Sequence, residues 1–431
     1  MNRKEAIARK CLEYLTDAGA TEGVCVASEG TKTEFYYESG KLGLLRTVRN
    51  VSVSMKALVG TRKGVSAVNS FEEDDLRRAA EEAVRAAEIS REDPAEGLPE
   101  EIVVQSFEKG PMTPDYEQML FRITEFFNEL KEKYPAVSVD SASLDHTLSE
   151  SVYCATNGIC LSTRQGAYSF SPMFMCREGE NTSSFNYFGS VFSSPDTPVM
   201  DLAGGRQIIE DSLKQIKPVS LSGKFVGDVI FTPSCFGSLL GSVEGNFLSD
   251  SVLIDGTSIW KDRLGQTVAA PCFSWSSRPR SEELPGGYFT TEGYVAENMD
   301  IIKDGVLQNF VLGRYAAKKT GQKRSPSGGG CYFVDGGDVS LEEMLSTVKH
   351  GLIVGRFSGG DPTSDGTLSG VAKNSFEIID GTVCDAVNEV MISGNLAKML
   401  TDIVALSKER INDGTCCLPW VKIKGVTISG Q

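Results

Sequence analysis

With only two histidines among 431 residues, His146 and His350, the chain has little from which to build a metal-dependent hydrolytic site. An HExxH zinc site needs two imidazoles on one helical face and a glutamate to activate the metal-bound water. His146 and His350 lie far apart, so no such helix exists. His350 precedes Gly351 and reads as a helix-terminal cap beside the helix dipole. His146 falls in a strand pattern and reads as structural. Gly241-Ser242-Val243-Glu244-Gly245 sets its serine one position early for a nucleophile elbow. No GxxxxGK[ST] phosphate loop occurs, and Gly328-Gly329-Gly330 reads as flexible backbone. The run from Asp361 through Asp365 to Gly366 imitates a calcium loop. It lacks a ligand at the third position and has Ala372 where a bidentate glutamate belongs. Cys416 and Cys417 are adjacent, not spaced as CxxC, and read as buried free thiols.

Bulk properties narrow the classes further. The formal net charge of −15 opposes approach to phosphate backbones, which excludes direct, non-specific nucleic-acid binding. No apolar run reaches the roughly 18 residues that a spanning helix needs. Arg9, Lys10, Glu13 and Asp17 interrupt any leader-like apolar segment near the start. Eleven scattered cysteines, an odd number, imply a reduced, cytoplasmic setting.

The elements that must position any site follow an α+β order. A helix is expected over residues 3–18, then strands over 23–28, 33–37, 42–48 and 51–59, with Ser39-Gly40 as one turn. Ser70-Phe71-Glu72-Glu73 has the form of a capping box before an alanine-rich helix. Residues 90–113 read as a boundary. A second helix follows, then strands over 136–143, 146–155, 159–163, 167–176 and 182–188, with a hairpin at Asn157-Gly158, and a helix over 201–216. Helix, strand meander, helix thus occurs twice, giving a duplicated architecture over units 1–100 and 101–220. Residues 221–431 read as a strand-rich, barrel-like domain with hairpins at Asp304-Gly305 and Asp380-Gly381. Helices are expected there over 233–247, 311–320, 341–348 and 395–407, the third behind a capping box at Ser340. Glycine-rich stretches at 321–331 and 358–370 read as mobile loops.

Several segments in this order resemble one family. They run from Val51-Ser52-Val53-Ser54-Met55-Lys56 and Gly60-Thr61-Arg62-Lys63-Gly64 through Ala155-Thr156-Asn157-Gly158-Ile159 and Thr291-Glu292-Gly293 to Lys303-Asp304-Gly305-Val306-Leu307. Gly351-Leu352-Ile353-Val354, Ile378-Ile379-Asp380-Gly381, Ile392-Ser393-Gly394-Asn395-Leu396 and Leu418-Pro419-Trp420-Val421-Lys422-Ile423 complete the series. Together they are similar to the TldD/PmbA family of zinc peptidases and "modulators of DNA gyrase", nearly end to end. The resemblance implies that the TldD branch carries HExxxH after a Leu-Leu pair, with a cysteine near the C-terminus completing the zinc site. Here Leu239-Leu240 precedes Gly241 and Asn246 in the two His slots, and Ser242 in the Glu slot. Asn246-Phe247-Leu248-Ser249-Asp250 and Trp260-Lys261-Asp262-Arg263-Leu264-Gly265 resemble the PmbA branch, also called TldE.

That branch implies a non-catalytic chain, with no cofactor of its own, paired with a TldD-like chain that holds zinc. The pair acts on unfolded or small peptides, and a symmetric dimer of the lone chain is compatible with it. Two other readings remain open. An independent hydrolase could draw on His350, Cys416, Cys417, Asp361 or Asp365. A regulatory protein could bind gyrase.

Overall fold

The computed structural model describes residues 3–38, 40–388 and 390–430. Helix α1 (Arg3–Asp17) leads into β1 (Glu22–Glu38), β2 (Lys41–Val59) and β3 (Arg62–Val68), and α2 (Glu73–Ile89) follows. Then come β4 (Val104–Lys109), α3 (Tyr116–Lys133), β5 (Val137–Ala155), β6 (Cys160–Glu178) and α4 (Gly205–Lys214). The strands form one sheet in the order β3-β2-β1-β5-β6-β4. β1 and β5 pair antiparallel from Val24↔Ala155 to Glu38↔Ser141, so both helix–strand–helix segments share a single sheet. Helices α1 and α2 cover one core, around Leu15, Met55, Ala80 and Val84. Helix α3 covers a second, around Phe126, Phe170 and Phe174. Gly64 is needed where α2 crosses β3, because a Cβ there would lie 2.0 Å from the Ala83 carbonyl oxygen.

Each expected pair of short strands is one long strand. The polar stretch Glu29-Gly30-Thr31-Lys32 does not break β1, because its backbone pairs with β2 on one side and β5 on the other. Ser39 of the expected turn lies outside the described residues. Segment 90–113 contains β4, which pairs parallel with β6. The expected cap at Ser70 differs too. Glu72 is the N-cap, Ser70 Oγ accepts from the Glu72 N–H, and Glu73 instead accepts from the Tyr14 hydroxyl at 2.6 Å. The capping box at Ser340 is present, with Glu343 reciprocating.

Beyond residue 221 five strands close a barrel. Lys224–Phe231 pairs with His350–Gly359, which pairs with Thr367–Ile379. Thr367–Ile379 pairs with Val390–Asn395, and that strand with Cys416–Ser429, which returns to Lys224–Phe231. Val229, Phe231, Leu352, Val354, Ile392 and Val421 fill the interior. Asp304-Gly305 and Asp380-Gly381 both take positive φ and turn tight hairpins. The helix expected over 395–407 ends at Thr401, and Ile403–Asn412 is a strand against Cys416–Ser429. Within stretch 358–370, residues 358–359 and 367–370 are the ends of two paired hairpin arms, and residues 360–366 form the loop between them.

Residues 93–100 strap the sheet to the barrel. Asp93 accepts from the Tyr315 hydroxyl and Lys319 Nζ, both at 2.8 Å. Arg314, nearly buried, donates to the Ala95 carbonyl at 2.9 Å and to Glu100 at 3.2 Å. Glu100 also accepts from the Tyr294 hydroxyl at 2.8 Å.

Candidate functional site

Helix α5 (Pro233–Val243) leaves the barrel directly after Lys224–Phe231, with Thr232 as its N-cap. Leu239, Leu240 and Val243 point into the core, as do Phe247 and Leu248 of the next turn, which leaves Gly241 and Gly245 exposed on the outer side. Residues Glu244–Leu248 continue as a π-helical turn, closed by the Ser249 N–H on the Glu244 carbonyl. The π turn matters for spacing. In a regular α-helix, positions five apart lie about 140° apart around the axis. An i→i+5 turn widens the helix and brings such positions closer to one face. Gly241 and Asn246 are five apart and span this transition.

The side chains at these positions offer little chemistry. A Cβ at Gly241 would meet no atom within 4 Å. Ser242 Oγ turns back to the Ser238 carbonyl at 3.4 Å, and Asn246 Nδ2 donates to the Ser242 carbonyl at 2.9 Å. Glu244 is the one acid on this turn. Burial raises its carboxyl above the ordinary range, opposed by a 2.5 Å hydrogen bond from the Tyr332 hydroxyl. The Tyr332 phenol is in turn raised by burial and by Glu244. Gly329 packs on this pair: a Cβ there would lie 2.7 Å from Tyr332 Oη and 2.9 Å from Glu244 Oε1. Gly329 is therefore the close-packed member of the run, while Gly328 and Gly330 are exposed, and Ser277 Oγ holds the run by donating to the Gly330 carbonyl at 2.7 Å. Sequence reasoning missed Glu244 and Tyr332, and only the acid's place inside the Leu-Leu segment could have flagged it.

Cys416 opens the strand that pairs with Tyr332. Burial pushes its thiol up to about 11. Cys417 points to the other face of that strand, among Leu284 and Phe333. His350 is not a helix cap; it begins a strand, donates from Nε2 to Glu377 Oε1 at 2.9 Å, and stacks on Phe225. It sits four residues before Val354, whose carbonyl binds the Thr232 N-cap, so it lies about 13 Å down the strand from the start of α5. Asp365 closes a turn with Thr363 and the Thr367 N–H, and Asp361 is exposed nearby. His146 is buried against the Pro111 carbonyl at 2.8 Å, and burial lowers its pKa. Among the described residues, no three His, Cys, Asp or Glu side chains converge as a metal site would require. The Gly241, Ser242 and Asn246 set does not fit a zinc ion, which wants imidazole, thiolate or carboxylate donors.

Next to this turn lies a cavity of about 360 Å³, walled by Asp250, Phe289, Glu292, Arg324 and residues 327–329. Its two acids are already engaged. Asp250 accepts from the Gly313 N–H at 2.9 Å, and Glu292 from the Arg314 and Tyr315 N–H groups. Neither histidine lines it.

The C-terminal domain model of the PmbA/TldA metallopeptidases matches residues 222–430, and the family's domain 1 model matches residues 25–87. The chain belongs to the PmbA/TldD metallopeptidase family, on its PmbA/TldE-like side. It is 25% identical to metalloprotease PmbA of Escherichia coli O157:H7 over 402 residues, 88% of each chain. Its fold matches TldE of Thermococcus kodakarensis with a TM-score of 0.84 at 18% identity, covering 98% of this chain and 100% of that one. It also matches a Bacteroides thetaiotaomicron protein described as a candidate modulator of DNA gyrase, with a TM-score of 0.88 at 20% identity over 100% of both chains. No helix among the described residues is long and apolar enough to cross a membrane.

Proposed function

We propose that this chain is the non-catalytic, TldE-like subunit of a peptidase whose zinc sits in a TldD-like partner chain. The observation that carries this reading is the outer face of the α5 turn. The backbone keeps a π turn suited to an i, i+5 ligand pair, while Gly241, Ser242 and Asn246 supply no metal ligand and no general base. The chain then contributes wall and shape to a chamber that receives extended peptides. Residues 41–52 of β2 pair with β1 alone among the described residues, so one edge is free to add a strand. Native mass spectrometry of the tagged chain purified from its own cells tests the assembly. One copy of this chain with a homologous HExxxH chain and one zinc is the expected mass. A zinc-bearing homodimer lacking a second chain would overturn the proposal.

A further inference from the structure

Four of the eleven cysteines gather beneath α1. Cys25 on β1 faces Cys154 on β5, and Cys154 faces Cys160 on β6 across the Asn157-Gly158 hairpin. Cys11 of α1 completes the group. The Ala155 N–H bonds the Ile159 carbonyl, so the next rung, Cys154 opposite Cys160, is a non-hydrogen-bonded pair. Such rungs bring Cα atoms within about 4.5 Å, inside the range that a disulfide accepts. The two sulfurs lie 3.0 Å apart.

The two thiols differ in surroundings. Cys160 is 6% exposed and Cys154 1% exposed. The contact with Cys154, and the neighbouring Arg9 guanidinium, bring the Cys160 thiol down to about 7 against burial and Glu5. The same contact, with burial, pushes Cys154 well up. Cys25 is also raised, by Cys11 and burial. A thiolate beside a cation at the outer end of a buried thiol chain is the arrangement that reacts with oxidants.

We infer that Cys154 and Cys160 form a redox-active dithiol, with Cys160 as the attacking sulfur and Cys154 as the resolving one. The oxidant is hydrogen peroxide. The Cys160 thiolate attacks one peroxide oxygen, the O–O bond breaks, and hydroxide leaves, giving the sulfenic acid. The Cys154 sulfur then attacks Cys160, the S–O bond breaks, and the Cys154 proton leaves with the hydroxyl as water. Two thiols lose two electrons, and the peroxide is reduced to water and hydroxide. A small thiol reverses the bond by exchange. Oxidation would lock the tip of the β5–β6 hairpin, from which Asn157 Nδ2 reaches the Pro99 carbonyl of the interdomain strap.

The test treats the full chain with hydrogen peroxide and maps disulfides by mass spectrometry without reduction. A Cys154–Cys160 link, two hydrogens lighter and cleared by dithiothreitol, is expected. C160S should abolish the link, and C154S should leave a sulfenic acid at Cys160 that a cyclic 1,3-dione traps. Both variants should retain the native circular dichroism spectrum. A Cys25–Cys154 link, a trapped sulfenic acid at Cys154 in C160S but none at Cys160 in C154S, or oxidation confined to the exposed Cys272 and Cys384 would each overturn the assignment.

Discussion

The two faces of α5 and its π turn have different demands on them. The inner face, Phe236, Leu239, Leu240, Val243 and Phe247, is buried and packs into the barrel core. The outer face, Ser234, Ser238, Gly241, Ser242 and Gly245, is small, polar and open to solvent. Packing therefore preserves the helix, its place at the barrel and its π turn whether or not the outer positions carry ligands. Fold likeness to metallopeptidases is accordingly a statement about the inner face. Chemistry is a statement about the outer one.

Substitutions should separate the faces. The largest effect is expected for Phe247→Ala on the inner side. Removing a fully buried ring should cost about 3–5 kcal/mol, read as a lower urea midpoint. Arg314→Ala comes next. It deletes hydrogen bonds to the Ala95 carbonyl and Glu100 in the strap, with an expected loss of about 1.5–3 kcal/mol in the same assay.

An acid titration probes the strap more gently. Lys319, the Ala95 N–H and Tyr315 hold Asp93 at about 2. For Glu100, burial pulls upward, but Tyr294 and Arg314 outweigh it and hold the carboxyl at about 2. Both groups are depressed below their unfolded values of roughly 4. Their contribution is therefore present above about pH 4.5 and is lost as pH falls toward 2. Much of Glu100 is solvent-exposed, so screening keeps its share small. The melting temperature should fall with acid in the wild type, and less steeply in D93N/E100Q. Equal slopes would remove the strap from the acid response.

The smallest effect belongs to the outer face. Gly241→Ala meets open space within the helix and should stabilise by about 0.5–1 kcal/mol, with no change in peptide hydrolysis by the assembled pair. A steric loss of stability would show that something covers this face in the free chain.

Parts of this arrangement were legible in the sequence for local reasons. Asp304-Gly305 and Asp380-Gly381 announce their turns because few other residue pairs accept two positive φ values in succession. The barrel-like character of residues 221–431 followed from its run of short strands. Strand lengths in β1 and β5 were not legible, since neighbouring strands carry a polar stretch that composition alone would break. The helix over 395–407 was overextended because Ile403 and Leu406 fit a helical stripe equally well, and pairing with Cys416–Ser429 decides otherwise. The π turn is a matter of hydrogen-bond register, which leaves no compositional trace. Cys154 and Cys160 flank Asn157 symmetrically, so a hairpin centred there already sets them opposite each other.

The most direct test of the non-catalytic reading is steady-state peptide hydrolysis by the pair, with this chain carrying G241A/S242A/N246A. Turnover within about twofold of the unmodified pair is predicted, because on this account none of the three positions takes part in a step. A fall of tenfold or more, with the pair still assembled, would mean that the outer face of α5 acts in catalysis and would contradict the account.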